Sequence, residues 1–162
     1  MWFGHWILGL VFYLTINVAI WIEGVSINTR VPSLSKTSRE EQVPTWKLAV
    51  LTPAILTAHA FQHIYHAYLY RLRTQNATYQ LPSHPLFPNI LCPHYTCEVA
   101  IYLLLSFLAT PNGRSVNWTL LSATVFVAVN LGVTADGTKA WYGQYFGAEK
   151  VSGRRRMIPG VW

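Results

Sequence analysis

Residues 48–73 read LAVLTPAILTAHAFQHIYHAYLYRLR. A run of this length and character crosses a bilayer as a helix, for which about 20 mostly apolar residues suffice. Its first half, Leu48 to Leu56, is apolar apart from Thr52 and Pro53, and Pro53 predicts a kink. Its second half carries His59, Gln62, His63 and His66, and Arg71 and Arg73 close it at the interface. Spacings of three, four and seven residues put His59, Gln62, His63 and His66 along one helical stripe. Polar side chains sunk in a membrane segment are costly and mark functional sites by default. The stripe is therefore expected to face other helices or a wet cavity.

Composition supports the membrane reading. The chain has 162 residues with 52% hydrophobic and only 11% charged, where soluble domains carry about 25% charged residues. Neither a soluble enzyme nor a disordered tail is expected on that ground. The net charge of +6 comes from basic residues at segment ends, which suits membrane-surface loops better than nucleic acid. Cys92 and Cys97 form no CxxC pair and no disulfide framework.

Three further apolar runs flank the first. Trp2 to Ile22 has no Lys or Arg, and Glu23-Gly24 is expected to end it. Met1 to His5 lacks a basic n-region, so this stretch is expected to be retained rather than cleaved. Residues 25–46 turn polar and read as a loop. Glu98 to Thr110 is short for a span and is expected to extend back through Tyr95. Pro111-Asn112-Gly113 signals a turn, and Trp118 to Val133 follows as the last run. The fold class predicted is thus all-α, an integral membrane helical bundle of about four transmembrane helices. A basic amphipathic C-terminal tail from Asp136 completes it, with Lys139, Lys150 and Arg154 to Arg156. The basic bias modestly favours a cytoplasmic tail. The sequons at Asn76 and Asn117 are not expected to carry glycans in this topology.

Two more clusters stand out. In Cys92-Pro93-His94-Tyr95-Thr96-Cys97-Glu98, Pro93 can start a helix, which puts His94 and Glu98 on one face with Tyr102 a turn beyond. Glu98 can also be a simple helix-start charge. In the tail, Lys139-Ala140-Trp141-Tyr142-Gly143-Gln144-Tyr145-Phe146 followed by Arg154-Arg155-Arg156 reads by composition as an interfacial aromatic belt with a basic anchor. For the histidine stripe three readings stay open. It is a polar seam that packs helices, or a metal site using His59 and His63 or His63 and His66, or the seat of an anionic cofactor that meets His, Gln and Arg donors.

At these clusters the sequence resembles the C-terminal half of the steroid 5α-reductase family, in its polyprenol (polyprenal) reductase branch. The matching stretches are Gln62-His63-Ile64-Tyr65-His66 with Leu72-Arg73, then Leu81-Pro82-Ser83, then Cys92-Pro93-His94-Tyr95 with Glu98. Asn130, Trp141-Tyr142 with Phe146, and Gly153-Arg154 through Ile158-Pro159 follow in order. The resemblance is strong over residues 57–162, while the first 56 residues match only as apolar helix and loop.

That resemblance implies a partial steroid 5α-reductase-like membrane domain over residues 1–162, with an NADPH-binding part over residues 57–162. It implies a multi-pass reductase of the endoplasmic reticulum membrane that moves hydride from the nicotinamide to an activated carbon–carbon double bond. The substrate would be a long polyisoprenoid lipid, and the product would feed dolichol synthesis for protein N-glycosylation. Carried over position by position, Gln62, His66, Arg73, His94, Tyr95, Glu98, Tyr142 and Arg154 match cofactor-contacting positions, and Tyr102 extends the second set. The family has more membrane helices than this chain offers, and its substrate-polarising carboxylate and tyrosine fall before the region matched. Glu23, Glu40 and Glu41 do not replace them, and Lys139 stands where relatives often have His. The chain is thus expected to be the cofactor-holding part of a reductase, with a separate chain or upstream segment supplying the rest. The alternatives are a non-catalytic scaffold or remnant of the same fold and, more remotely, a histidine-rich metal-dependent lipid enzyme.

Overall fold

The computed structural model describes residues 3–29, 43–110 and 114–158. Five helices follow one another: α1 (Phe3–Thr29), α2 (Thr45–Thr74), α3 (Pro93–Leu108), α4 (Trp118–Phe146) and the short α5 (Ala148–Ser152). No strand forms among the described residues, so the all-α expectation holds. α3 packs against both α2 and α4, α4 against α5, and α1 lies along α4.

Local chemistry explains the helix boundaries. Pro93 opens α3 at its first turn, where a missing N–H costs nothing. Arg71 and Arg73 sit in the last turn of α2, where cations complement the exposed carbonyls. Asn117 caps α4: its Oδ1 accepts from the Leu120 N–H at 2.9 Å and its Nδ2 donates to the Ala109 carbonyl at 3.0 Å. That side chain is buried and joins the end of α3 to the start of α4. Gly147 takes φ 96° between α4 and α5, a left-handed conformation that glycine adopts without penalty.

Two boundaries differ from the sequence expectation. α1 continues through Glu23 and Gly24 to Thr29, because a backbone ladder does not end at one acidic residue and a helical Gly costs only about 1 kcal/mol. α4 does not stop at Val133: the residues from Asp136 to Phe146, expected as a separate tail, are its last turns. Polar residues there change the helix's surroundings and leave its hydrogen bonds intact. The loop expected over residues 25–46 lies mostly outside the described residues, as does the turn at 111–113.

Among the described residues α4 is the one helix long and apolar enough to cross a membrane, while α1 contributes the shorter apolar run Ile7–Ile22. At 16 residues α3 is about 24 Å long, short of the roughly 30 Å hydrocarbon core. Large apolar side chains nevertheless face outward. Val125, Val129 and Val133 form a ridge along α4 at four-residue steps, 59%, 63% and 69% exposed.

The core sits where α3 begins and the chain ends. Leu91, Cys92, Ala135, Val151 and Met157 are buried together, with Leu81, Tyr95, Val99, Leu131 and Tyr142 packed around them. Backbone bonds fasten the C-terminal segment to the start of α3: Arg155 N–H donates to the Asn89 carbonyl at 2.6 Å, and Leu91 and Cys92 N–H donate to the Arg155 and Arg156 carbonyls at 3.0 and 2.9 Å. The Thr96 hydroxyl reaches the Met157 carbonyl at 2.5 Å. Tyr65, 1% exposed, donates its hydroxyl to the Leu91 carbonyl at 2.9 Å, a bond worth about 1 kcal/mol net.

Burial pushes the Cys92 thiol up to about 12, with a hydrogen bond to Thr138 pulling weakly the other way. A thiol with a raised pKa stays neutral until pH approaches that value, and only the thiolate attacks electrophiles. Cys92 is therefore expected to resist maleimide in the folded protein from pH 7 to 9 and to label at once in denaturant. Labelling of a Cys97→Ala variant, read by mass spectrometry, checks this; stoichiometric reaction of the folded protein at pH 8 would disprove it.

Candidate functional site

The polar stripe of α2 does not act as a unit. Gln62 and His66, one turn apart, line a cavity of about 220 Å³ formed by α1, α2, α3 and α4. His59 and His63 are exposed and do not line it. The stripe is about 100° wide, so only its inner edge meets the neighbouring helices.

α3 supplies the facing groups. His94, Tyr95 and Glu98 line the same cavity, since residues one turn apart share a face. The Gln62 side-chain amide donates to the Glu98 carboxylate and ties the two helices together at the cavity wall. His94 stands at the centre of an aromatic cluster. Its ring stacks on Tyr65 at 5.3 Å between centroids, with the planes 15° apart, and meets the edge of His66 at 4.8 Å. His94 Nδ1 is buried without a hydrogen-bond partner among the described residues. Buried polar atoms are nearly always satisfied, so an orphan in a cavity wall is a place for a ligand's donor or acceptor.

α4 and α1 close the other side. α4 contributes Phe126, Val127, Leu131 and the amide of Asn130, and α1 contributes Gly9, Phe12 and Tyr13. Phe12 stacks flat on Phe126 at 4.5 Å, with the planes 11° apart. Such a pair adds about 0.5–1.5 kcal/mol beyond area burial. One wall of the cavity is thus polar, and the other is apolar apart from Asn130 and Tyr13. The part played by α1 had no marker in the sequence: in a helix apolar on every side, nothing distinguishes the face that meets the cavity. Tyr102 lies outside the lining and leans toward Phe12 at 6.3 Å.

The remaining candidate residues sit away from the cavity. Arg73, at the end of α2, lies over the Tyr79 ring at 4.6 Å, a cation–π contact. Tyr79 in turn meets the edges of Trp141 and Tyr145. Tyr142 packs on the buried core around Leu91. The Arg154 guanidinium donates to the Pro82 carbonyl and so joins the C-terminal segment to the connection between α2 and α3. Among the described residues no group of three or more His, Cys, Asp or Glu side chains is placed to hold a metal ion.

The sequence pattern of the family described as 3-oxo-5-alpha-steroid 4-dehydrogenase matches residues 6–162. A polyprenal reductase of Caenorhabditis elegans is 26% identical over 163 residues, covering 97% of this chain and 50% of that protein. Polyprenal reductase 1 of Arabidopsis thaliana is 35% identical over 100 residues, covering 60% of this chain and 30% of that protein. The chain thus spans at most about half the length of these curated relatives. No solved structure matches it.

Proposed function

Because the chain belongs to the 3-oxo-5-alpha-steroid 4-dehydrogenase family, we propose that it is the cofactor-holding part of an NADPH-dependent polyprenal reductase. The observation that carries this reading is the meeting of Gln62, His66, His94 and Glu98, from two helices, on one cavity whose opposite wall is mostly apolar. It is further supported by relatives named as polyprenal reductases.

The donor set suits a nicotinamide nucleotide. The Glu98 carboxylate accepts hydrogen bonds from amide or hydroxyl donors, and Gln62 and Asn130 offer both a donor and an acceptor. The orphaned Nδ1 of His94 gains a partner when a polar ligand group enters. A cavity of about 220 Å³ is smaller than the roughly 300–1,000 Å³ of pockets that hold a whole drug-sized ligand. It suits the nicotinamide end of the cofactor. Arg73 lies two turns beyond His66 on α2, about 10 Å along the axis, where a guanidinium can take a phosphate.

When bound, NADPH supplies a hydride to an activated double bond. The chain's own residues hold and orient the reacting ring: Gln62 fixes the Glu98 carboxylate, and His94 is held by its stack on Tyr65. Phe12 and Phe126 keep the facing side dry, and this is where an isoprenoid would lie. The outward apolar ridge of α4 and the run Ile7–Ile22 support a multi-pass position in the endoplasmic reticulum membrane. The saturated product would enter dolichol synthesis for N-glycosylation.

The test is complementation of polyprenal-reductase-null cells, scored by dolichol content. One arm uses the chain alone and the other uses it joined to the preceding half of a relative. The joined form is expected to restore dolichol, and its Arg73→Ala variant to need about tenfold more NADPH in membrane assays. Failure of both forms at normal expression would favour the non-catalytic scaffold. Unchanged NADPH dependence in the Arg73→Ala variant would remove Arg73 from the site.

A further inference from the structure

A second hollow lies on the other side of α4, between its last turns, α5 and the C-terminal segment, with a volume of about 610 Å³. Its walls include Asp136, Lys139, Gln144, Val151, Ser152 and Arg156. None of them lines the cavity that holds Gln62 and Glu98.

The cations here are held in place by the fold. Lys139 Nζ donates to the Arg154 carbonyl at 2.6 Å and lies 3.4 Å from the Ser152 carbonyl. Among the described residues no carboxylate pairs with it. The nearby carboxylate, Asp136, is engaged by the Arg156 Nε at 2.5 Å. Two neutral carbonyls do not neutralise the lysine, Asp136 offsets its charge only from beyond ion-pair distance, and an ammonium has three donors. Lys150 and Arg155 add positive charge on the adjoining segments. An ammonium prepositioned by the backbone, beside a guanidinium oriented by an aspartate, is a recognition set for an anion with several oxygens. Gln144 and Ser152 add uncharged groups at the rim that can meet hydroxyls.

We propose that this hollow binds a phosphate group, with Lys139 as its principal anchor. The hollow has room for more than a bare ion, which suits a phosphate carried on a larger body. Two sources share that chemistry: the headgroup of an anionic phospholipid at the membrane surface and a soluble phosphate monoester. The site stands apart from the proposed nicotinamide cavity, and its existence does not depend on the reductase reading.

Native mass spectrometry of the full chain in detergent tests this, with phosphatidic acid, phosphatidylcholine and glycerol 3-phosphate as probes. Phosphatidic acid is expected to be retained over phosphatidylcholine by about tenfold, on the scale of one charge-assisted contact. Lys139→Gln keeps donors for the two carbonyls and removes the charge. Ala140→Trp fills the hollow from an exposed position and leaves Lys139 in place. Each is expected to abolish the preference, with unchanged thermal midpoints showing that the fold survives; if one fails to fold, the other decides. Lys150→Gln, on α5 but outside the lining, is expected to keep it. Displacement of the lipid by glycerol 3-phosphate would support the site with a soluble source, and retention against it would support the site with a lipid source. Equal loss in Lys150→Gln, or full retention in Lys139→Gln or Ala140→Trp, would overturn the proposal.

Discussion

Glu98→Ala is expected to weaken NADPH binding by about 30-fold, the largest effect of any single change at the cavity. Hydrogen bonds to a charged group are worth about 1.5–3 kcal/mol, and 2 kcal/mol corresponds to roughly 30-fold in affinity. Two losses combine. On the proposed reading the cofactor would lose the carboxylate acceptor on the cavity wall, and Gln62 loses the partner that fixes its amide. Glu98→Gln keeps an acceptor without the charge and is expected to fall between the two. Fluorescence titration of NADPH against detergent-solubilised protein measures all three. Affinity within twofold of wild type for Glu98→Ala would mean that the carboxylate serves only to join α2 to α3. The thermal midpoint separates the cases, since a purely joining role lowers stability without touching affinity in the fraction that stays folded.

Leu91→Ala is expected to destabilise the fold by about 3 kcal/mol, within the roughly 2–5 kcal/mol range for truncating a buried leucine. Leu91 is 2% exposed at the centre of the core, and its backbone holds both Tyr65 and Arg155. For a chain of this size, each 1 kcal/mol moves the midpoint by about 2–4 °C, so a fall of about 6–12 °C should appear in thermal scans in detergent. Leu86, 56% exposed in the same connection, provides the control. Leu86→Ala is expected to change stability by less than about 0.5 kcal/mol. Equal midpoints for the two variants would show that the core does not depend on this junction.

The parts of the fold legible in the sequence were those carried by local patterns. Residues 48–73 announced α2 through apolar length and closing arginines, and Pro93 announced the start of α3. The polar pairs Gln62 with His66 and His94 with Glu98 were legible as faces, because one-turn spacing is a property of the helix itself. Which part of the α2 stripe would turn inward was not legible. Spacing gives an angle around one axis, and only the neighbouring helix decides that Gln62 lines the cavity while His63 is exposed. The pairing of Asn89–Cys92 with Arg155 and Arg156 was equally hidden, since two short segments with no strand pattern meet across more than sixty positions. The last turns of α4 read as a tail because Asp136 and Lys139 interrupt the apolar run, although a helix can leave its apolar surroundings without ending. The family relation was legible from ordered clusters, which persist at identities of 26–35%.

The clasp between the C-terminal segment and the start of α3 also sets an order of events during synthesis. A ribosome delivers α2 and the start of α3 before Arg155 and Met157, so the backbone groups of Leu91 and Cys92 must wait for partners made more than sixty residues later. The bundle can therefore close only once residues 155–157 have been made, and a nascent chain stalled before residue 154 would present an open hydrophobic seam to the chaperones around it.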